Sequence, residues 1–504
     1  MAVKRASTEA RFFTLHVLAS SSIVSGKLNN FSRSVIKAIL YPKSKLKWKH
    51  ENNCKGIIMD YQENETLPEN KSPANPAKAI TLRTWLAMGA LAIVGQLAWA
   101  VENSWFNKFV TDMITPDPRP IAWMVAASAI VATLTTIFMG TWSDRSRSRW
   151  GRRKPFILIG YGLWGVMTAV FPLTALMKNI SMAIVMVVLV DCIMTFFGST
   201  ANDAAFNAWT ADITPSHKRG RVEGVLNFCL FVAQLISYTA AGMLIESKGY
   251  FVFFYALGAI VTVVGVIAAS QIDEPSAETL PKPETTYWQD IRGLLDWRIL
   301  IENRKLFLLL LIITIAGIGF QVSFPYLLIY VTDTLKMPIS SYMVIGGAML
   351  VGSAVLAIPF GFLAEKFNRK WLTLLSLIFS ALGYFLFSTS THLILLALYG
   401  LLWLGMNTAF AIVSMAWLKD LLPVESRGRF LGVRMIFAVM LPMIFGPMIG
   451  QALIRRFGTP TMLGTEAGFL PAPIIFVIGA IITVFAIIPL FFFDKRKTID
   501  QSKA

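Results

Sequence analysis

The chain reads as an all-α integral membrane protein, with twelve transmembrane helices in two six-helix, pseudo-symmetric halves. Three observations predict this. Hydrophobic residues fill 55% of the 504 positions and charged residues only 15%, with 36 Phe and 14 Trp; soluble domains of this size do not have such a composition. Twelve apolar segments lie between Thr84 and Phe493, each close to the roughly 20 residues that cross a hydrocarbon core. A stretch of the first half recurs in the second at a constant offset of 208.

The expected spans, numbered 1 to 12, are 82–110, 120–141, 154–177, 180–211, 220–246, 249–271, 304–332, 339–364, 370–388, 391–420, 427–454 and 469–493. They divide the chain into a tail (1–80), a first half (81–271), a linker (272–303), a second half (304–493) and a second tail (494–504). The linker is polar and contains Pro275, Pro281 and Pro283; its part from Tyr287 to Ile301 suits an amphipathic helix lying on the membrane surface.

A net charge of +17 raises the question of nucleic acid, but its distribution answers otherwise. With the chain entering from the cytoplasm, the inside loops from Trp142 onward hold 25 of the 46 Lys and Arg, and the outside loops hold 6. The segment before span 1 holds 13, and Arg83 and Lys108 sit at helix ends. That bias is the positive-inside signal. It places both termini in the cytoplasm and predicts a multi-pass plasma (inner) membrane protein in contact with anionic lipid, with no nucleic-acid partner.

Residues 1–58 stand apart. ARFFTLHVLASSSIVSG is too short and interrupted to span, and no clear A-x-A-like site supports a signal peptide. Two readings stay open: a disordered cytoplasmic tail, or a start called too early, with Met59 as the true one. Of the three cysteines, Cys192 and Cys229 fall in apolar helices, and no zinc or redox spacing is present. The histidines, at 16, 50, 217 and 392, build no triad or metal box, so no enzyme is expected, and no metal or cofactor.

The repeat is specific. NAWTADITPSHKRGRVEGV at 207–225 aligns without a gap to MAWLKDLLPVESRGRFLGV at 415–433, with matching Ala, Trp, Asp, Pro, Arg and Gly. GFLAEKFNRK at 361–370 likewise mirrors the loop GTWSDRSRSRWGRRKP at 140–155. A rule that inner loops are basic does not explain the Trp, Asp, Pro and Gly matches, whereas two halves of one orientation do.

The pattern G-x-x-x-D-R…G-R-R/K between spans 2 and 3 resembles the signature of the major facilitator superfamily. The inserted SRSR and the ending GRRKPFI are similar to the sucrose/proton symporters and the glycoside–pentoside–hexuronide cation symporters, over roughly residues 82–493. The resemblance implies the major facilitator fold and a gate. Asp144 would bridge Arg145 or the positive N-terminus of span 11. Gly140 would permit close helix approach and Gly151 a tight turn. Arg153, beside Arg152, reaches for Asp212, while Glu365, Arg369 and Asp420 repeat the arrangement in the second half, with Arg221 and Arg429 as further donors. The alternative for each is a solvated charge at the lipid surface.

Polar groups inside spans are functional candidates. Span 1 offers Glu102, Asn103 and Asn107 beside Trp99 and Trp105. The run Gln96-x-x-Trp99-Ala100-x-x-x-Ser104 is similar to span 1 of plant sucrose carriers, with Glu102 one residue from a polar position there. On span 4, Asp191 and Asn202 are eleven apart and share a face; Asp203 and Asn207 are four apart and share another. The sucrose family implies a coupling acid and a sugar-binding arginine on span 4, but the matching positions here fall near Phe196 and at Asn207.

Carboxylates in a low-dielectric site can load a proton, and the same groups suit Na⁺. Amides and aromatics suit sugar hydroxyls and ring faces. The second half contributes Gln321, Tyr326, Tyr330, Trp403 and Asn407. Glu223, Asn227 and Gln234 on span 5 are weaker candidates, and Pro325, Pro442 and Pro447 would kink gating helices. For any single candidate the alternative is an interhelical hydrogen bond.

The expected function is a cation-coupled sugar or glycoside symporter working by alternating access, as a monomer, with H⁺ or Na⁺ as the coupling ion. The first rival is a proton-driven exporter of drugs or metabolites, against which the proline-free span 5 speaks. The second is a non-transporting sensor, which would have no need of gating charges in both halves.

Overall fold

The computed structural model describes residues 80–274, 285–295, 297–422 and 430–493. The tail 1–80 up to its last residue, the Met59 start, the linker's first part, Arg429 and the tail 494–504 lie outside the described residues.

Long helices cover nearly all of the described chain because water is absent from a bilayer core, so each span must satisfy its own backbone. Their ranges are Leu82–Met113, Arg119–Arg145, Lys154–Leu176 and Ile180–Ile213 for spans 1 to 4. Spans 5 and 6 run as one element, Arg219–Ser270, broken at Gly249, whose φ of 82° no ordinary L residue holds cheaply. Spans 7 to 10 are Arg304–Thr334, Ile339–Lys366, Arg369–Thr389 and Leu393–Leu421. Spans 11 and 12 are Gly432–Phe457 and Ile474–Phe492. Among the described residues these make twelve spans in two sets of six.

The starts are set locally. Asn179 accepts from the Ser181 and Met182 amides (2.9 and 3.3 Å), Asn303 from Leu306 (3.1 Å) and Asn368 from Lys370 (2.9 Å), each satisfying donors that have no partner inside the helix. Pro155 occupies the first turn of span 3, where its missing N–H costs nothing.

Two features depart from the predicted string. Span 12 begins at Ile474, not at 469, because Thr459–Leu463 and Glu466–Leu470 form an antiparallel hairpin, with Thr459 opposite Leu470. Its two-residue turn places Gly464 at φ 60°, and Pro471 and Pro473 delay the helix. Short π-helical stretches also interrupt four spans among the described residues: Glu102–Phe106, Ser199–Phe206, Tyr330–Thr334 and Ile436–Met440. They widen the turn and re-aim the side chains that follow.

Within each half the helices meet through aromatic packing and small residues, since lipid tails are as apolar as leucine and give no hydrophobic drive between helices. Phe106, Phe109, Phe171 and Phe254 form one cluster; Tyr330, Phe387, Trp403 and Phe476 form another. Between the halves, span 2 packs on span 11 and span 5 on span 8. At the second seam Gly242 lies so close to Ile339 that a methyl group would sit 2.6 Å from its Cγ2.

Candidate functional site

Span 4 shows how the site is aimed. Val185, Leu189, Ile193 and Phe196 are exposed and form its outward, lipid-facing stripe. Asp191 is two residues from both Leu189 and Ile193, so it points the other way, and it is 1% exposed. Neither of its carboxylate oxygens makes a hydrogen bond among the described residues. Ser128 of span 2 faces it, but that hydroxyl donates to the Val125 carbonyl at 3.2 Å.

Glu102 of span 1 lies in electrostatic range of both Asp191 and Asp203. One of its oxygens accepts from the Thr195 hydroxyl at 3.2 Å; the other has no partner among the described residues. Asp203 accepts from Ser199 (3.1 Å) and from the Asn202 amide (3.0 Å). Tyr161 of span 3 donates to Asn202 at 3.0 Å. Straight-helix spacing pairs Asp191 with Asn202 and sets Asp203 on another face. The structure differs: the π stretch Ser199–Phe206 leaves Asn202 held against Tyr161, while Asp203 joins Asp191 near Glu102. Three carboxylates therefore gather between spans 1 and 4.

The other candidates scatter more. Asn107 is fully buried and donates across the seam to the Pro325 carbonyl at 3.1 Å. Asn103 is half-buried and donates to the Trp99 carbonyl at 2.8 Å. Asn207 is exposed, one turn beyond Asp203, with its amide on the Asp203 carbonyl at 3.3 Å. In the second half the Tyr326 hydroxyl is committed to the Pro447 carbonyl at 3.1 Å, and Tyr330 packs against Phe476 with ring centroids 4.9 Å apart. Trp403 is fully buried with its ring centroid 4.5 Å from that of Tyr384, and the Gln321 side-chain oxygen has no hydrogen-bond partner among the described residues. Asn407 is half-buried on span 10.

One end of the bundle carries the basic loop and is called the basic face here. There Arg153, 5% exposed, pairs with Asp144 at 2.7 Å and Asp212 at 2.8 Å, and Arg152 joins Asp212 at 2.5 Å. Arg369 pairs with Asp420 in the second half, and Glu365 is exposed. Gly151 makes the turn at φ 108°. A methyl group at Gly140 would meet Ala204 at 3.8 Å, so the packing there leaves room for alanine. Arg221 lies over the Trp85 ring at 5.9 Å.

Arg145 is placed differently from the sequence expectation. It pairs with Asp290 of the linker helix Tyr287–Leu294, not with Asp144. Tyr287 of that helix donates to the Phe138 carbonyl on span 2 at 3.0 Å, and Leu294 lies against Gly432 at the start of span 11.

Three further groups were not singled out from the sequence. Glu274 accepts from the Arg153 and Lys154 amides (2.8 and 3.2 Å), capping span 3. On the face opposite the basic loop, Lys108 lies in the last turns of span 1, which ends at Met113, and is 5% exposed. It contacts Asp112 at 2.5 Å and Asp333 of span 7 at 2.8 Å, and Tyr250 donates to Asp112 at 2.6 Å. The signal available was a base and an acid four apart near the end of an otherwise apolar helix. The hairpin adds a contact there, from the Phe469 amide to the Pro116 carbonyl at 3.2 Å.

Comparison with known proteins follows the same lines. The family model described as Major Facilitator Superfamily matches residues 79–352 and 309–504. Proton-associated sugar transporter A of Homo sapiens is 32% identical over 80 residues, 16% of this chain and 10% of that protein. Solute carrier family 45 member 4 of Mus musculus is 24% identical over 190 residues, 36% of this chain and 24% of that protein. Sucrose transport protein SUC3 of Arabidopsis thaliana is 27% identical over 122 residues, 22% and 19% of the two chains. The matched stretches thus span about a tenth to a quarter of these relatives' lengths. Among solved structures, the nucleoside transporter NupG has a TM-score of 0.64 at 11% identity, covering 82% of this chain and 99% of its own. The xylose transporter XylE from E. coli has a TM-score of 0.56 at 13% identity, covering 81% and 99%. At that identity the likeness is one of fold.

Proposed function

The chain belongs to the Major Facilitator Superfamily; from that premise we propose that it is a transporter rather than an enzyme, and that it moves a sugar or glycoside by alternating access, coupled to H⁺ or Na⁺. The curated relatives named for sugar or sucrose transport support the substrate class. The observation that carries the coupling is the acid group between spans 1 and 4. Glu102 and Asp191 are buried, with three carboxylate oxygens between them unpartnered among the described residues, and Asp203 is nearby.

Burying a carboxylate without a partner is expensive, so such a group gains much from a proton or a dehydrated cation. Two or three mutually repelling acids gain more. Loading one cation removes the repulsion, and releasing it on the other side restores it. The amides of Asn103 and Asn207 and the indoles of Trp99 and Trp403 are the groups suited to sugar hydroxyls and ring faces. The basic face is the cytoplasmic one in this reading, with both termini on that side of the plasma (inner) membrane. The closed contacts on the opposite face then correspond to a carrier shut to the outside.

The test is uptake into proteoliposomes of the purified full chain, with a panel of radiolabelled mono- and disaccharides under an imposed H⁺ or Na⁺ gradient. Accumulation of one sugar above its external concentration, lost when the gradient is collapsed, is the expected result. Sugar-independent movement of amphipathic cations would replace this reading with proton-driven export.

A further inference from the structure

We propose that Lys108 and Asp333 are the catch that holds the two halves together on the face opposite the basic loop, and that Asp112 is the keeper of Lys108 when the catch opens. The inference rests on the alternating-access reading and deepens it by naming the closing contact.

The geometry separates the two acids. Lys108 and Asp112 are one turn apart on span 1, with Nζ 2.5 Å from the carboxylate. Asp333 is on span 7, with its two oxygens 2.8 and 3.1 Å from the same Nζ. The side chains are 7%, 30% and 21% exposed for Lys108, Asp112 and Asp333. Tyr250, also of the first half, donates to Asp112 at 2.6 Å, so everything that positions Lys108 apart from Asp333 travels with the first half. On the other side Thr332 donates to Asp333 at 2.8 Å and aims it.

The physical consequence is a two-state contact. Closed, the pair is partly shielded from water, so its attraction exceeds that of a fully exposed ion pair. Opened, the seam admits water and both groups are hydrated. Lys108 keeps Asp112 throughout, because the two share a helix, so opening does not leave a bare ammonium. The neighbouring contacts that cross the seam, Asn107 to the Pro325 carbonyl and the Phe469 amide to Pro116, are neutral hydrogen bonds and weaker.

The test uses the full chain in nanodiscs with Cys54, Cys192 and Cys229 replaced by Ser. Spin labels go at Lys178→Cys and Thr391→Cys, exposed positions at the ends of the two halves on this face. Asp333→Asn is expected to move the measured distance distribution to longer values. Asp112→Asn, equally isosteric, is expected to leave it at the wild-type distance. Wild-type distances in Asp333→Asn, or an equal shift in both variants, overturn the proposal. Should Asp333→Asn not purify, Lys108→Gln carries the same expectation and the same refutation.

No substrate is needed, so an error in the sugar assignment leaves the result intact. A second label pair, Arg149→Cys with Lys366→Cys on the basic face, separates the two ideas. Lengthening on the opposite face without shortening on the basic face leaves the catch in place and counts against rocking of the halves.

Discussion

Asp191 shows what a single residue in this chain can and cannot disclose. That it is ionisable and inside a span follows from the order of residues alone, whereas its turn away from the exposed Leu189 and Ile193 is read from the structure. That both its oxygens are unpartnered and that Glu102 lies within range depends on a helix 89 positions earlier, so no local pattern contains it. The prediction at this scale is Asp191→Asn. The amide keeps the shape and removes an unpaired buried charge, so thermal stability is expected to stay level or rise, by up to roughly 1–3 kcal/mol. Concentrative uptake is expected to fall to equilibration. A variant that still accumulates sugar moves the coupling role to Glu102 or Asp203. Lys108 is the converse case: its spacing to Asp112 was visible, but its partner on span 7 was not.

At the scale of elements, the spans were legible to within a few residues because hydropathy and length are properties of a contiguous stretch. The hairpin Thr459–Leu463 with Glu466–Leu470 was not, since its apolar residues Met462, Leu463, Phe469 and Leu470 merge with the run that begins span 12. The π stretches were also invisible, because an extra residue in a turn leaves no compositional mark. The linker helix was expected as a surface amphipath, and Thr286 and Gln289 form a capping box at its start. Its seat was not foreseen: Asp290 takes Arg145, the base that the loop signature assigns to gating. Asp290→Asn is expected to raise hydrogen exchange in residues 285–295 about five- to tenfold, as loss of a partly exposed ion pair of about 1 kcal/mol allows. Exchange unchanged from wild type would mean that Tyr287 and Leu294 suffice to hold the helix.

At the scale of the whole molecule, charge asymmetry predicts orientation. The basic face gathers Arg145 to Lys154, Lys366 to Lys370 and Arg434 among others, while the opposite face holds six bases, Arg119, Lys178, Lys248, Lys336, Arg455 and Arg456. A membrane-impermeant maleimide added outside intact cells is therefore expected to label Lys178→Cys and not Arg149→Cys, with the pattern reversed in inverted vesicles. The opposite pattern would invert the topology and turn the closed seam toward the cytoplasm.

The sequence by itself determined the class, the twelve spans, the twofold repeat and the basic side, because hydropathy, charge and internal similarity are read along one dimension. The tertiary structure decided which acids meet, which base closes the seam and where Arg145 goes. These depend on helix rotation, on π turns that shift it, and on partners as far as 225 positions away, which only packing in three dimensions brings within bonding distance.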